Sequence, residues 1–312
     1  MLWKIVFNLY LVNQVILASF FSSTKPVFLI TNQDNQISSE QEIKAPQRIN
    51  LNHLGTIISA KNGLVIDQKS KKILYQKNPN QSSSIASITK LMSMLVLDEL
   101  DLSPEMTVII QDSDKEIEDD GACSEIEIGE VVRVKDLLHL ALISSDNDAV
   151  KALVRISGLT EQQFIQRMNQ KAQTIGLSNT YFADPTGLNS DNSSTVIDLA
   201  RLLTVVLEKS SIAQLINQRY YSFSIVNQPE RIIKVYSTDR LLDSFLNTDP
   251  YHIIGGKTGY LDEAGYCFTF LVNNQDDHPL MIVLLGADSS QARWQEAKGL
   301  AIWTWENYQW LK

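Results

Sequence analysis

A serine side chain attacks a carbonyl only when a neighbouring group takes its proton, and no histidine in this chain is set to do so. The four histidines, His53, His139, His252 and His278, stand singly and without metal-ligand spacing. Each reads as a structural or surface residue. The other activator of serine is a lysine held neutral. Ser-x-x-Lys at the start of a helix puts both side chains on one face, one turn apart. Developing negative charge then lies beside free backbone N–H groups. Two such strings occur. "SSTK", Ser22–Lys25, falls in an N-terminal segment that reads as signal or linker. "SITK", Ser87–Lys90, opens "SITKLMSMLVLDELDL", which is apolar almost all round and reads as a buried helix.

Two further elements could complete such a site. Lys257-Thr258-Gly259 occurs once, between "YHIIGG" and "YLDEAGYCFTF". There Lys257 is expected at a strand edge, with Gly259 letting a substrate backbone approach closely. As a second cation near Lys90, Lys257 would disfavour the charged form of Lys90. The tripeptide SDN occurs twice, at Ser145-Asp146-Asn147 and at Ser190-Asp191-Asn192. The first copy breaks a helical pattern between "LLHLALIS" and "DAVKALV", a break that would present Ser145 and Asn147 to a cleft. The second lies in a polar loop after "PTGL" and reads as turn chemistry or the approach to a helix cap.

Ser-x-x-Lys, Ser-x-Asn and Lys-Thr-Gly, in this order, are the motif set of penicillin-binding proteins and class A β-lactamases. The stretches "VIDQKSKKILYQKNPNQSSSIASITKLMSMLVLDE", "LLHLALISSDNDA", "MNQKAQTIGLSNTYFADPTGLNSDNSSTVIDLARLL" and "GGKTGYLDEAGYC" together resemble D-alanyl-D-alanine peptidases. These are the low-molecular-mass penicillin-binding proteins, serine peptidase family S11. The resemblance runs from about residue 55 to about residue 305. "IASITKLMSMLVLDE" and "ALISSDN" are most similar to the endopeptidase branch, the penicillin-binding protein 7/8 type.

The resemblance implies Ser87 as nucleophile on a D-alanine carbonyl of a peptidoglycan stem peptide, and Lys90 as general base. Ser145 would relay a proton between Lys257, Lys90 and the leaving amine. Asn147 would hold the substrate's peptide and orient Lys90. Lys257 and Thr258 would bind the leaving residue's carboxylate, on the strand that Gly259 continues. Backbone N–H groups of Ser87 and Tyr260 would form the oxyanion hole. Water then hydrolyses the acyl-enzyme, and no metal or cofactor is needed. The implied partners are peptidoglycan stem peptides and, as covalent inhibitors, β-lactam antibiotics.

The chain departs from the family pattern in two places. Many carboxypeptidases of this family carry an arginine after the strand that follows Lys-Thr-Gly. Here Ala287 stands in its place and Arg293 lies further along, which leans the reading toward the endopeptidase. A second threonine after Lys-Thr-Gly is replaced by Leu261. Two rival functions remain open. A class A β-lactamase shares the motifs but needs a glutamate on the loop that here reads "FADPTGLNS". A non-catalytic envelope protein would bind peptidoglycan with a dead site.

The elements that must position these residues follow a segregated order. "GLVIDQKSKKILYQKN" reads as a β-hairpin. Helical segments come next, among them "TEQQFIQRMNQKAQTIG", with a Thr160/Gln163 capping box and a close on Gly176, and "STVIDLARLLTVVLEKS". "YYSFSIV", "RIIKVYS", "GYCFTFLVN" and "LMIVLLGAD" read as strands, and the last segment as a helix covering a sheet. This order predicts an α+β fold. It is expected to be β-lactamase/transpeptidase-like, an antiparallel sheet flanked by helices with a mainly helical lobe over about residues 98–190. Trp303, Trp305, Tyr308 and Trp310 read as packing.

With 312 residues, 44% of them hydrophobic, the chain can bury a sizeable core. A net charge of −9 argues against nucleic acid as a partner. Residues 1–23, with Lys4 ahead of a mostly apolar run, read as a signal peptide; an uncleaved segment giving weak membrane association is the alternative. Residues 24–54 read as a linker and 55–312 as the catalytic domain. The body is expected in the periplasm or cell envelope. Cys123 is expected in an acidic loop and Cys267 in the core; one disulfide or two free thiols are both open.

Overall fold

The computed structural model describes residues 43–49, 51, 55–115 and 125–311. The expected signal peptide, most of the expected linker and Cys123 lie outside the described residues. Within them the chain runs through β1 (Gln47–Arg48), β2 (Asn62–Asp67), β3 (Ile73–Lys77), β4 (Ser83–Ser84) and α1 (Lys90–Glu99). Next come β5 (Thr107–Ile109), β6 (Val131–Arg133), α2 (Val134–His139), α3 (Asn147–Ile156) and α4 (Glu161–Thr174). β7 (Ser193–Ser194), α5 (Val196–Leu207), α6 (Ser210–Ala213), β8 (Tyr220–Ile225) and β9 (Gln228–Tyr236) follow. The chain closes with β10 (Tyr251–Leu261), β11 (Gly265–Asn274), β12 (Leu280–Ala287), α7 (Ser290–Asn307) and β13 (Tyr308–Gln309).

The early hairpin and the late strands build one antiparallel sheet in the order β10-β11-β12-β2-β3, the α+β arrangement expected. Along β12 every residue is buried. Successive side chains point to opposite faces, so both faces of the sheet must be covered. Ile282 and Leu284 join Phe268, Phe270, Ala297 and Leu300 beneath α7. Met281, Val283 and Leu285 join Leu199, Leu202 and Leu203 of α5 on the other face. That second cluster continues into the helical lobe through α1, so one core holds the lobe against the sheet.

Two sequence expectations change. The strands β8 and β9 do not enter the main sheet but pair only with each other. Their Phe223, Ile225 and Ile233 pack into the lobe's cluster, which gives this ribbon its own apolar support. The segment 43–49, within the expected linker, is joined to the chain's other end. β1 pairs with β13, the Ile49 N–H donates to the Asn307 carbonyl at 3.0 Å, and Lys72 Nζ donates to the Pro46 carbonyl at 2.7 Å. The C-terminal aromatics pack as expected. Trp305 stacks on Tyr251, Tyr308 donates to the Leu74 carbonyl, and Trp310 donates to Asp67. Among the described residues no helix is long and apolar enough to cross a membrane.

Candidate active site

Ser87 lies in a 3₁₀ turn, Ala86–Thr89, that leads into α1. In 3₁₀ geometry the side chains at i and i+3 eclipse, and Lys90 Nζ accordingly sits 2.9 Å from Ser87 Oγ. The turn starts from Ala86, whose φ of 47° is left-handed and costs a non-glycine residue about 1–2 kcal/mol. Ser87 is half-buried, while Lys90 is fully buried. Lys90 Nζ is also bonded to Asn147 Oδ1 at 2.6 Å and to the Thr186 carbonyl at 2.7 Å.

The break at the first SDN has a definite geometry. The chain leaves α2 through a π turn, Leu140–Ser144. Ser145 takes a left-handed φ of 64°, and Asp146 caps α3 by accepting from the Ala149 N–H at 2.9 Å. Asn147 thus opens α3 facing Lys90. Ser145 Oγ lies 2.8 Å from Lys257 Nζ, and Lys257 is itself fully buried on β10.

Burial sets the charge of both lysines. It lowers Lys90 to about 7, against the opposing pull of Asp184 and Asp146. It also holds Lys257 well below the usual lysine range, where the positive charges of Lys90 and Arg293 add to the effect. The expected influence of Lys257 on Lys90 is therefore corrected. Desolvation keeps Lys90 close to neutral, and the neighbouring cation matters at Lys257 instead. A lysine that is neutral half the time near neutral pH, hydrogen-bonded to a serine, can take that serine's proton.

Of the remaining expected residues, Thr258 Oγ1 shares a hydrogen bond of 2.6 Å with Thr238 Oγ1. Thr238 in turn donates its N–H to the Ile143 carbonyl, tying β10 to the lobe beside Ser145. Gly259 has a different reason from the one expected. A Cβ there would lie 2.6 Å from the Ile85 carbonyl oxygen and 3.3 Å from the Ser87 nitrogen. The glycine admits the serine's own turn rather than only a substrate. The Tyr260 ring is half-exposed, hydrogen-bonded to Asp262 and packed on Tyr266. Its side chain does not join the lysine cluster.

The second SDN acts through Asn192 alone. Asn192 is fully buried, accepts from the N–H groups of Ala183 and Asp184, and donates to Asp184 Oδ2 at 2.9 Å. Its carbonyl accepts from the Ile85 N–H. Asp184 also accepts from the Thr186 hydroxyl and from the N–H groups of Thr186, Gly187 and Asn189. These bonds fix the loop whose Thr186 carbonyl holds Lys90. They also engage both Asp184 oxygens in holding this loop.

Three residues stand here that sequence reasoning missed or set too far along the chain. Arg293 reaches back 34 residues from the first turns of α7 to donate to the Gly259 carbonyl at 3.2 Å and to the Cys267 carbonyl at 3.3 Å. Burial lowers it to about 10. An arginine therefore does stand at this strand, and the argument from Ala287 falls away. Thr238 had no sequence signal beyond a turn. Asp239, the third, is buried; Oδ1 accepts from the Leu241 N–H at 2.8 Å, while Oδ2 has no hydrogen-bond partner among the described residues.

Burial raises Asp239 to about 7, opposed by the Leu241 hydrogen bond and by Arg293 and Lys257, with Asp243 adding to the rise. A carboxyl raised above its unfolded value of about 4 binds more protons in the folded state. Its stabilising contribution is present below that value and is lost as pH climbs through about 7. The Asp239→Asn variant should therefore gain in Tm relative to the parent as pH rises from 4 to 8. A Tm difference that stays constant over this range would refute the assignment.

Three comparisons bear on the chain. The sequence profile of the peptidase S11 family, D-alanyl-D-alanine carboxypeptidase, matches residues 49–289. The D-alanyl-D-alanine endopeptidase of Pseudomonas aeruginosa is 32% identical over 248 residues, covering 79% of this chain and 77% of that protein. The D-alanyl-D-alanine carboxypeptidase DacF of Bacillus subtilis is 31% identical over 237 residues, covering 75% of this chain and 59% of that protein. Among solved structures, the Streptomyces K15 DD-transpeptidase superposes with a TM-score of 0.74 at 24% identity, covering 81% of this chain and 100% of that one. At that identity the likeness speaks for the fold.

Proposed function

The chain belongs to the D-alanyl-D-alanine carboxypeptidase family, serine peptidase family S11, and from that premise we propose how its own residues carry the reaction. It is a serine D,D-peptidase. Ser87 Oγ attacks the D-alanyl carbonyl as Lys90 Nζ takes the proton. The tetrahedral oxyanion is met by the N–H groups of Ser87 and Tyr260, a contribution of about 3–4 kcal/mol where such donors have been removed elsewhere. The leaving amine receives a proton through Ser145, which Lys257 holds. Asn147 orients Lys90 and the substrate peptide. Lys257 and Thr258 bind the group beyond the scissile bond. β10 is the edge of the sheet, so a stem peptide can pair along it as an added strand. A β-lactam amide fills the same place and leaves the penicilloyl group on Ser87.

The observation that carries this reading is the contact of a fully buried Lys90 with Ser87, completed by Asn147 and the Thr186 carbonyl. The bound state of Asp184 weighs against rapid lactam hydrolysis. We favour the cleavage of cross-links over trimming of free termini, on the similarity to proteins named endopeptidases. The N-terminal apolar run supports export to the periplasm or envelope, with weak membrane association if that run is retained. The test is purified protein with cross-linked muropeptide dimers, with free pentapeptide, and with a fluorescent penicillin. Dimers should be split and Ser87 labelled, with Ser87→Ala inactive in both assays. D-alanine release from pentapeptide alone would reverse the endopeptidase preference, and undiminished label on Ser87→Ala would overturn the mechanism.

A further inference from the structure

The ribbon β8–β9 has two unlike faces. One is apolar and buried in the lobe. On the other the strand register pairs Tyr220 with Tyr236, Ser222 with Lys234 and Ser224 with Ile232. Tyr220 is 56% exposed, Tyr236 62% and Ile232 67%. The two tyrosine rings stand 6.5 Å apart, centre to centre. Lys234 Nζ lies 4.9 Å from one ring centre and 5.1 Å from the other. The ammonium fixes both rings through cation–π attraction while keeping donors for a ligand. The rings are inclined at 47° to each other, and the face is backed by the buried side of the ribbon and furnished with aromatic surface, hydroxyls and one cation.

The strand that carries this face leads into the reaction centre. Tyr236 is two residues from Thr238, a span of at most about 7 Å, and Thr238 is hydrogen-bonded to Thr258 of the Lys-Thr-Gly strand.

We propose that the outer face of β8–β9 is a binding platform for the glycan strand that carries the stem peptide. The sugar's apolar C–H face lies on Tyr220 and Tyr236, and Lys234 and Ser222 donate to its hydroxyl and acetamido oxygens. Tyrosine supplies such surface at low entropic cost, with an apolar body and a polar tip. The inference rests on the proposed D,D-peptidase function, and it adds that the enzyme recognises polymer as well as peptide. Catalysis on small substrates would not need the platform; retention on the cell-wall polymer would.

The test uses the full chain and the Tyr220→Ala/Tyr236→Ala double variant. Each is measured for acylation by a fluorescent penicillin, cleavage of soluble muropeptide dimers, and binding to insoluble peptidoglycan. The variant should match the parent in the first two and lose about tenfold in the third, the loss expected of two stacked aromatics. Separately, peptide-free glycan strands should bind the unmodified protein, a measurement that does not depend on the variant folding. Unchanged binding to peptidoglycan, or no binding of peptide-free strands, overturns the platform. So does a dimer of the parent that the double variant dissolves, which would assign the face to a second copy of this chain. Failure of the parent itself to be acylated would strike the proposed function instead.

Discussion

Acylation by a penicillin should rise about tenfold per pH unit below pH 7 and level off above it, because in the proposed mechanism only the neutral form of Lys90 accepts the Ser87 proton. The same cause makes Lys90→Arg damaging although it conserves charge and length. A guanidinium keeps a long cationic side chain and can still donate to Asn147 and to the Thr186 carbonyl. It stays charged at every accessible pH, so it cannot act as base. The acylation rate should fall by about 10³-fold or more, the upper part of the range for general base catalysis. Stopped-flow or gel-based labelling across pH 5 to 8 measures both effects. A flat profile for the parent, or an Arg variant within tenfold of it, would remove Lys90 from this role. Circular dichroism of the variant separates lost chemistry from lost fold.

The motif set was legible because each piece has a physical reason to sit where it does. Ser87 and Lys90 announce themselves by spacing, and the 3₁₀ turn tightens that spacing into contact. The first SDN announces itself by breaking a helix, and the left-handed Ser145 followed by the Asp146 cap is that break. That one antiparallel sheet joins the early hairpin to the late strands could be inferred from two strand-rich ends around a helical middle, though not its strand order. The detachment of β8–β9 could not, since their alternation is the same whether the buried face meets a sheet or a lobe. The second SDN shows a different limit. Its asparagine is as buried as any catalytic group, yet its work is to hold Asp184 and the Ala183–Asp184 backbone, a role that depends on three segments meeting.

Arg293 illustrates why distance along the chain misleads. The sequence reads as a strand over "LMIVLLGAD" and a helix in the last segment, and an arginine in that helix looks remote from the Lys-Thr-Gly strand. Packing α7 across the sheet carries its guanidinium to Gly259. The same packing places Cys267 and Arg293 together beneath the cleft, so the burial that lowers Arg293 also raises the Cys267 thiol to about 11. Its burial and raised pKa disfavour the thiolate, the nucleophilic form. Charge at this end of the site is thus set by three buried groups, Lys257, Arg293 and Asp239, none of which owes its state to a surface ion pair.

The second large effect is expected at Gly187. Its φ is 93°, and a Cβ there would fall 2.2 Å from the Ala86 carbonyl oxygen and 2.8 Å from the Ser87 nitrogen. Both are backbone atoms, so no side chain can swing aside. Gly187→Ala must displace either the turn that carries Ser87 or the loop whose Thr186 carbonyl holds Lys90, and each displacement lengthens the Ser87–Lys90 contact. Misplacement on the order of 1 Å costs about 10²-fold in rate, and that is the expected loss of acylation. Gly158→Ala is the control, with a φ of 78° and nothing within 4 Å of the added Cβ. It carries similar backbone strain, about 1–2 kcal/mol, without the collision. Gly158→Ala should lower Tm by a few degrees and acylate at the parental rate. If the two variants lose acylation equally, strain and not the contact with the serine turn explains Gly187. If neither loses any, the loop does not position the site.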